Sequence, residues 1–201
     1  MTAPKKRVRR PAKETKRLLI AAAGEVLVER RGDLEMADVA RHAGVSTALA
    51  HYHFGNKAGL LNAVVEDFYA RLDDAIIAVP YQGERWIDRE TARIRDLVHF
   101  FYDDPVALLV VGSVQNDPSL GSESFDRARR INRLGALNIA QAQKAGDIAP
   151  TLDPHLLVTM ILGGVMAGLS EALTLSPLPE AETLASEICG FVARAAGVDP
   201  A

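Results

Sequence analysis

The 201-residue chain contains a single cysteine, Cys189, so it cannot form an intrachain disulfide, and this fits a reducing compartment. Aromatic residues make up only 5% of the sequence, although hydrophobic residues reach 48%. No alternating β-branched strands flanked by hairpin turns are visible. A chain rich in alanine and leucine but poor in aromatics suits closely packed helices. The composition therefore predicts an all-α protein, with enough chain for one or two packed cores.

The sequence also lacks the motifs of common enzymes. It has no G-x-S-x-G, H-E-x-x-H, Walker-type or dinucleotide-binding glycine pattern, and its five histidines show no spacing suited to a metal ion. The adjacent pairs Asp73-Asp74 and Asp103-Asp104 splay apart on a helix or turn, and we expect them to be solvated charges. We therefore expect no enzymatic activity, no metal and no cofactor.

Long apolar runs are missing as well. The run LLIAAAG near the N-terminus ends at Glu25 after seven residues, which is short for a signal peptide and too short to span a membrane. The run Ile161–Leu169 is rich in glycine and stops at Glu171. We therefore expect no segment of membrane length, and a cytoplasmic location.

Helix-terminating residues organise the remaining sequence. A helical stripe runs from about Lys13 to Arg31 and ends at Gly32, and a longer helix begins near Asn56-Lys57. Beyond Pro80, three Asp-Pro pairs each offer an N-cap carboxylate followed by a proline in the first turn. These pairs are Asp104-Pro105, Asp117-Pro118 and Asp153-Pro154. The pattern predicts helices near 86–102, 105–116, 122–145, 154–175 and 180–196.

The most informative stretch is Met36–Leu61, whose spacing predicts a helix-turn-helix at about 35–54. Ala40 falls where two short helices would cross, Gly44 can take the positive φ that the turn needs, and Ser46 can cap the second helix. Such a second helix can enter the DNA major groove. The alternative is an ordinary helical hairpin in a core. The side chains predicted to face outward are Thr47, Ala48, Leu49, His51 and Tyr52.

These residues resemble the TetR family of transcriptional regulators. The match runs from about Lys13 to Arg71, and it includes the AGVS turn, the HF pair His53–Phe54, and the motif Asn56-Lys57 followed by Leu60-Leu61. The resemblance implies a three-helix DNA-binding domain at 13–73 and a helical ligand-binding and dimerisation domain at 80–201. The family usually has a phosphate-contacting tyrosine where His51 stands, and Tyr52 is a second candidate for that contact.

Charge is divided along the chain. Residues 1–71 contain 13 Lys and Arg against 8 Asp and Glu, whereas residues 72–201 contain 10 against 18. A basic head on an acidic body is typical of a protein that binds a polyanion. Residues 1–12 read as a basic arm that is either a solvated, disordered tail or a contact to phosphates or the minor groove. Lys57 is predicted to meet a phosphate. The cations of the arm are Lys5, Lys6, Arg7, Arg9 and Arg10.

Small residues are dense in the last two predicted helices, and faces of this kind let helices approach closely. From spacing alone, these faces either pack inside one subunit or form a four-helix interface with a second copy. The family resemblance favours the homodimer. The residues concerned are Gly164, Ala167 and Gly168 in the first helix and Ala185, Cys189 and Ala193 in the second.

Apolar residues of the middle helices are candidates for a ligand pocket, because TetR-like bodies enclose a small molecule there. The alternative for each residue is ordinary core packing. The candidates are Leu97, Phe100, Phe101, Leu108, Leu134, Leu137 and Met160.

Together these features predict a ligand-responsive DNA-binding regulator. We expect a repressor that acts as a homodimer and is released from a palindromic operator by a small molecule. One alternative is a small-molecule-binding or scaffolding helical protein without sequence-specific DNA binding. A second is a basic, chromatin-type protein without ligand control.

Overall fold

The computed structural model describes residues 11–116 and 122–199, and the chain is all-helical in these residues. The all-α fold predicted from composition is confirmed. The helices are α1 (Ala12–Glu29), α2 (Met36–His42), α3 (Thr47–Phe54), α4 (Lys57–Leu72), α5 (Trp86–Asp103), α6 (Ala107–Asn116), α7 (Ser122–Ala145), α8 (Pro154–Ala172) and α9 (Ala181–Ala196).

Local capping chemistry sets several of these boundaries. The Asp153 carboxylate accepts hydrogen bonds from the backbone N–H groups of His155 (2.9 Å) and Leu156 (3.1 Å), so α8 begins at its proline as predicted. Asp104 instead accepts from the Val106 N–H at 2.9 Å, and α6 begins slightly later than expected, at Ala107. The third predicted cap, Asp117-Pro118, lies outside the described residues. A π-helical turn at Asp73–Ile77 follows α4 and was not predicted.

Packing divides the chain into two units, with the division between Phe68 and Tyr69 inside α4. In the N-terminal unit, α1 packs against α2 and α2 packs against α3. Ala40 and Ala50 are fully buried, as expected for small residues at helix crossings. The Lys16 ammonium lies 5.8 Å from the centre of the Phe54 ring, on the outer side of this packing.

In the second unit, α5 packs against α9, α7 against α8, and α8 against α9. Glycines allow two of these contacts to be close. A Cβ atom on Gly135 would lie 2.4 Å from Cγ2 of Val158, and one on Gly164 would lie 2.4 Å from Cζ of Phe191. Gly135 therefore brings α7 onto α8, and Gly164 brings α8 onto α9.

The structure corrects the interface prediction for α9. Ala185 and Ala193 are buried inside the single chain, where α9 packs on α5. The Cys189 thiol lies 3.9 Å from the Thr91 carbonyl oxygen on α5, and burial raises the pKa of this thiol. Ala185 and Ala193 therefore belong to the subunit core and are not available to a second copy, whereas Cys189 is half-buried. On α8, Gly164 packs against Phe191 of α9 and so takes part in the packing of the single chain, whereas Ala167 is exposed and Gly168 half-buried.

The structure also corrects the proposed pocket set. Phe101 is buried, and Leu97 and Phe100 are half-buried on the same helix, α5. The other four candidates are between 43% and 57% exposed, so the seven residues do not line one enclosed cavity. When a helix is apolar on more than one face, its sequence does not show which face packs against other helices. The exposed candidates are Leu108, Leu134, Leu137 and Met160.

Two aspartates that we expected to be solvated are ion-paired. Asp73 pairs with Arg127 at 2.5 Å and with Arg130, and its side chain is only 17% exposed. Asp104 pairs with Arg71 and is 8% exposed. The partners are at least 33 positions away in the sequence, so the fold rather than the local pattern creates these pairs.

Among the described helices, α8 is long and apolar enough to cross a membrane by length and composition. The expectation that no segment approaches membrane length is therefore wrong for α8. A core helix of a soluble protein passes the same test, and about a third of the tested stretch is buried within this chain.

Candidate nucleic-acid interface

The turn between α2 and α3 has the geometry that the sequence predicted. Gly44 adopts φ +66°, a left-handed conformation that strains any residue with a Cβ atom. The Val45 N–H donates to the Ala40 carbonyl at 2.9 Å and closes the turn. The Ser46 hydroxyl accepts the Leu49 N–H at 3.2 Å and so caps α3. These contacts hold α3 in a defined direction relative to α2.

The outer face of α3 presents polar and aromatic side chains to solvent. Thr47, Ala48 and His51 are exposed, and Tyr52 is 81% exposed. Leu49 is half-buried, so it is less accessible than the other four predicted contact residues. An exposed tyrosine at the surface of a short, capped helix is suited to contact with a ligand rather than to core packing.

His51 has a contact that the sequence did not reveal. Its Nδ1 lies 2.9 Å from the carbonyl oxygen of Gly55, the residue that ends α3 with φ +74°. Because a carbonyl oxygen can only accept, the Nδ1–H group must be the donor. The imidazole therefore helps to satisfy the C-terminal end of the helix, and its other nitrogen, Nε2, is left for other contacts.

Lys57 stands at the start of α4 and is ion-paired within the N-terminal unit. Its ammonium lies 3.2 Å from Asp33 Oδ1 and 3.8 Å from Glu35 Oε1. The hydrogen bond from Lys57 lowers the pKa of the Asp33 carboxyl. A contact between Lys57 and a DNA phosphate therefore requires this ammonium to leave, or to share, the two carboxylates.

The corner between α3 and α4 depends on Gly59, a residue that sequence reasoning did not single out. A Cβ atom there would lie 2.1 Å from the Phe54 carbonyl oxygen, which no side chain can tolerate without backbone movement. The Asn56 side-chain oxygen accepts the Gly59 N–H at 2.9 Å and caps the helix. The available signal was a glycine inside an otherwise regular helical pattern, which often marks close packing.

The basic arm lies outside the described residues, and its contribution to DNA binding stays a prediction. This applies to Lys5, Lys6, Arg7, Arg9 and Arg10. Within the described part of the chain, no group of three or more His, Cys, Asp or Glu side chains could hold a metal ion.

Comparison with known proteins agrees with this geometry. Residues 19–64 match the family model described as bacterial regulatory proteins, tetR family. The chain is 42% identical over 60 residues to the HTH-type transcriptional regulator BetI of Rhizobium meliloti (strain 1021), which is 30% of each chain. The match thus spans about 30% of the length of this curated relative.

Solved structures extend the likeness to the whole fold. A Rhodococcus sp. protein assigned to the TetR family of transcriptional regulators superposes with a TM-score of 0.75 at 23% identity, covering 90% of this chain and 98% of that one. AibR, solved in complex with isovaleryl coenzyme A and operator DNA, superposes with a TM-score of 0.68 at 17% identity, covering 89% and 97%.

A capped second helix, held by a glycine turn and joined to a helical body, defines a helix-turn-helix protein. Its N-terminal domain belongs to the tetR family of bacterial regulatory proteins, and the helical body follows the fold of that family.

Proposed function

We propose that the chain is a ligand-responsive transcriptional regulator that binds DNA through α3. The observation that carries the proposal is the exposed face of α3, which is held by the Gly44 turn and the Ser46 cap. In a helix-turn-helix, the first residues of the second helix read base edges in the major groove. Thr47 and Ala48 stand at that position, and the exposed Tyr52 lies further along the helix.

Contacts to the DNA backbone would supply most of the affinity. Lys57 and the arm residues Lys6, Arg7, Arg9 and Arg10 are the proposed phosphate contacts, because neutralising phosphates releases counterions. The positive balance of residues 1–71 supports this role, whereas the acidic remainder would be repelled by DNA. DNA would therefore approach the N-terminal domain first.

The sequence predicted a dimer interface on both α8 and α9. We propose an interface on α8 only. Leu156 (53% exposed), Met160 (46% exposed), Gly163 and Ala167 are spaced by four, three and four residues, so they form one exposed, apolar stripe. A helix that is apolar on its exposed as well as its buried face is suited to packing against another protein surface. A second copy of the chain related by a two-fold axis would cover this stripe.

A small-molecule effector would act by population shift. The dimer would exist in two arrangements that differ in the separation of the two α3 helices, and an effector that binds one arrangement better would change DNA affinity. AibR was solved with isovaleryl coenzyme A and operator DNA, so its fold accommodates both kinds of partner. We further propose that the protein is a cytoplasmic repressor that the effector releases from DNA.

Selection of bound duplexes from a random-sequence library tests this function directly. We expect enrichment of one near-palindromic sequence, and tight binding that weakens with added salt. Repeating the binding measurement with a panel of small molecules, including isovaleryl coenzyme A as one probe, tests the response to an effector. Binding to all duplexes alike would instead favour a non-specific basic protein, and no binding at all would favour a helical scaffold.

A further inference from the structure

We infer that His51 contacts a DNA phosphate only when its imidazole is protonated, so that DNA affinity falls as pH rises. The inference rests on the proposed function, because it concerns how α3 holds DNA. His51 is exposed and lies in the second half of the eight-residue α3. Side chains at the far end of a recognition helix lie toward the sugar-phosphate backbone, whereas those at its start face base edges.

The hydrogen bond to Gly55 decides which nitrogen can face DNA. Since Nδ1–H donates to the Gly55 carbonyl oxygen at 2.9 Å, the neutral ring has its unprotonated nitrogen at Nε2. That nitrogen is an acceptor and cannot bind a phosphate oxygen, which also only accepts. When the ring is protonated, Nε2 becomes a donor that carries positive charge, and it can form a charge-assisted hydrogen bond. The contact therefore requires the proton.

Several charged side chains on the helices next to α3 are engaged with partners of their own. On α2, Arg41 pairs with Asp38 and His42 pairs with Glu25 at 2.5 Å. At the start of α4, Lys57 pairs with Asp33 and Glu35. On α1, Lys16 lies over the Phe54 ring. On α3 itself, the His53 ring packs edge-on against Tyr52.

No carboxylate in the described part of the chain lies within ion-pairing distance of the His51 imidazole. A phosphate placed at Nε2 would be the group that stabilises the imidazolium. Protonation and DNA binding are thus linked, and each favours the other.

The sign of the pH dependence follows from this linkage. Phosphodiesters stay negative throughout, while an imidazole loses its charge over about pH 5 to 8. Affinity should therefore be highest at the acidic end and fall as pH rises. Loss of one charge-assisted hydrogen bond corresponds to about a tenfold weaker binding per subunit.

The test uses the full chain and a duplex that it enriches from a random library at about pH 6. We expect the dissociation constant, measured at constant ionic strength, to rise about tenfold per subunit toward about pH 8. His51→Gln should bind weakly with a flat profile, and His51→Lys should keep its affinity at about pH 8, since lysine stays charged. His155→Gln removes an exposed imidazole from the body and should keep the wild-type profile.

The tautomer of His51 and the pH profile of the His51→Gln variant can each overturn the inference. Nitrogen NMR of the free protein should show the Nδ1–H tautomer for neutral His51, and an Nε2–H tautomer would overturn the inference. The wild-type pH profile in His51→Gln would overturn it as well, while DNA binding itself would stand. Failure to enrich any duplex at any pH would instead refute the proposed function, which the inference requires.

Discussion

Gly44 determines the direction of α3, because it holds the turn at φ +66°. Valine there would be strained although nothing lies within 4 Å of its Cβ position. We expect Gly44→Val to lower the free energy of unfolding by more than about 1 kcal/mol and to weaken DNA binding by misplacing α3. Thermal unfolding and DNA titration measure the two effects.

Gly146 provides the matched control. It also has a positive φ, +84°, and open space at its Cβ position, but it lies in the turn after α7. Gly146→Val should cost a similar amount of stability while DNA affinity is retained. An unchanged melting temperature and affinity in Gly44→Val would contradict the role assigned to this turn.

For Lys57, a mutation can distinguish a phosphate contact from a base contact. Because a phosphate contact carries no sequence information, Lys57→Ala should weaken binding to all duplexes alike and lower the salt slope by about one unit per subunit. Removal of the ammonium also leaves Asp33 and Glu35 without this partner, and their negative charges would oppose DNA further. Binding measured over a series of salt concentrations gives the slope.

Lys144→Ala serves as the control for net charge, since this exposed lysine lies on α7 in the body. It should leave the salt slope unchanged. If Lys57→Ala altered the preferred sequence and kept the slope, Lys57 would be a base contact and not a phosphate contact.

At the scale of the element, α8 has an exposed apolar stripe that nothing in the described part of the single chain covers. Gly168 follows Ala167 of the exposed α8 stripe and is half-buried, and a Cβ atom there would meet nothing within 4 Å in the single chain. Gly168→Leu should therefore fold normally but obstruct a closely packed partner helix. We expect weaker dimerisation, a melting temperature that depends more on protein concentration, and reduced operator affinity. Analytical ultracentrifugation and DNA titration test these expectations.

Two comparison variants separate the interface from the core. Gly164→Leu would clash with Phe191 of the same chain, so it should lose stability at every protein concentration. Ala145→Leu enlarges an exposed residue at the end of α7 and should leave the dimer intact. A Gly168→Leu protein that dimerises fully and binds its operator normally would argue against α8 as the interface.

At the scale of the whole molecule, the two α3 helices of the proposed dimer must meet two half-sites related by the same two-fold axis. Inserting about five base pairs between the half-sites rotates one of them by about half a helical turn, away from its α3. We expect affinity for this duplex to fall to that for a single half-site. Titrations of the intact, lengthened and half-site duplexes provide the comparison.

Equal affinity for the intact and lengthened duplexes would contradict a rigid dimer. It would instead indicate that the N-terminal domains bind independently of one another. The Gly168→Leu variant should show the smaller difference between the two duplexes if the α8 interface is what couples the half-sites.

The sequence alone was sufficient for features that depend on neighbouring residues. The Ser46 cap, the positive φ of Gly44 and the start of α8 each involve atoms within a few positions along the chain. Helical periodicity likewise placed the body helices to within a few residues. These features were predictable because short-range hydrogen bonds and backbone sterics determine them.

Only the tertiary structure decided which face of each helix is covered. Ala185 and Ala193 have the spacing of an interface but pack inside the chain, while Met160, a predicted pocket residue, lies on an exposed stripe. Asp73 pairs with Arg127, 54 positions away. Periodicity shows that a helix has an apolar face but not what lies against it, since that depends on where the chain brings the other helices.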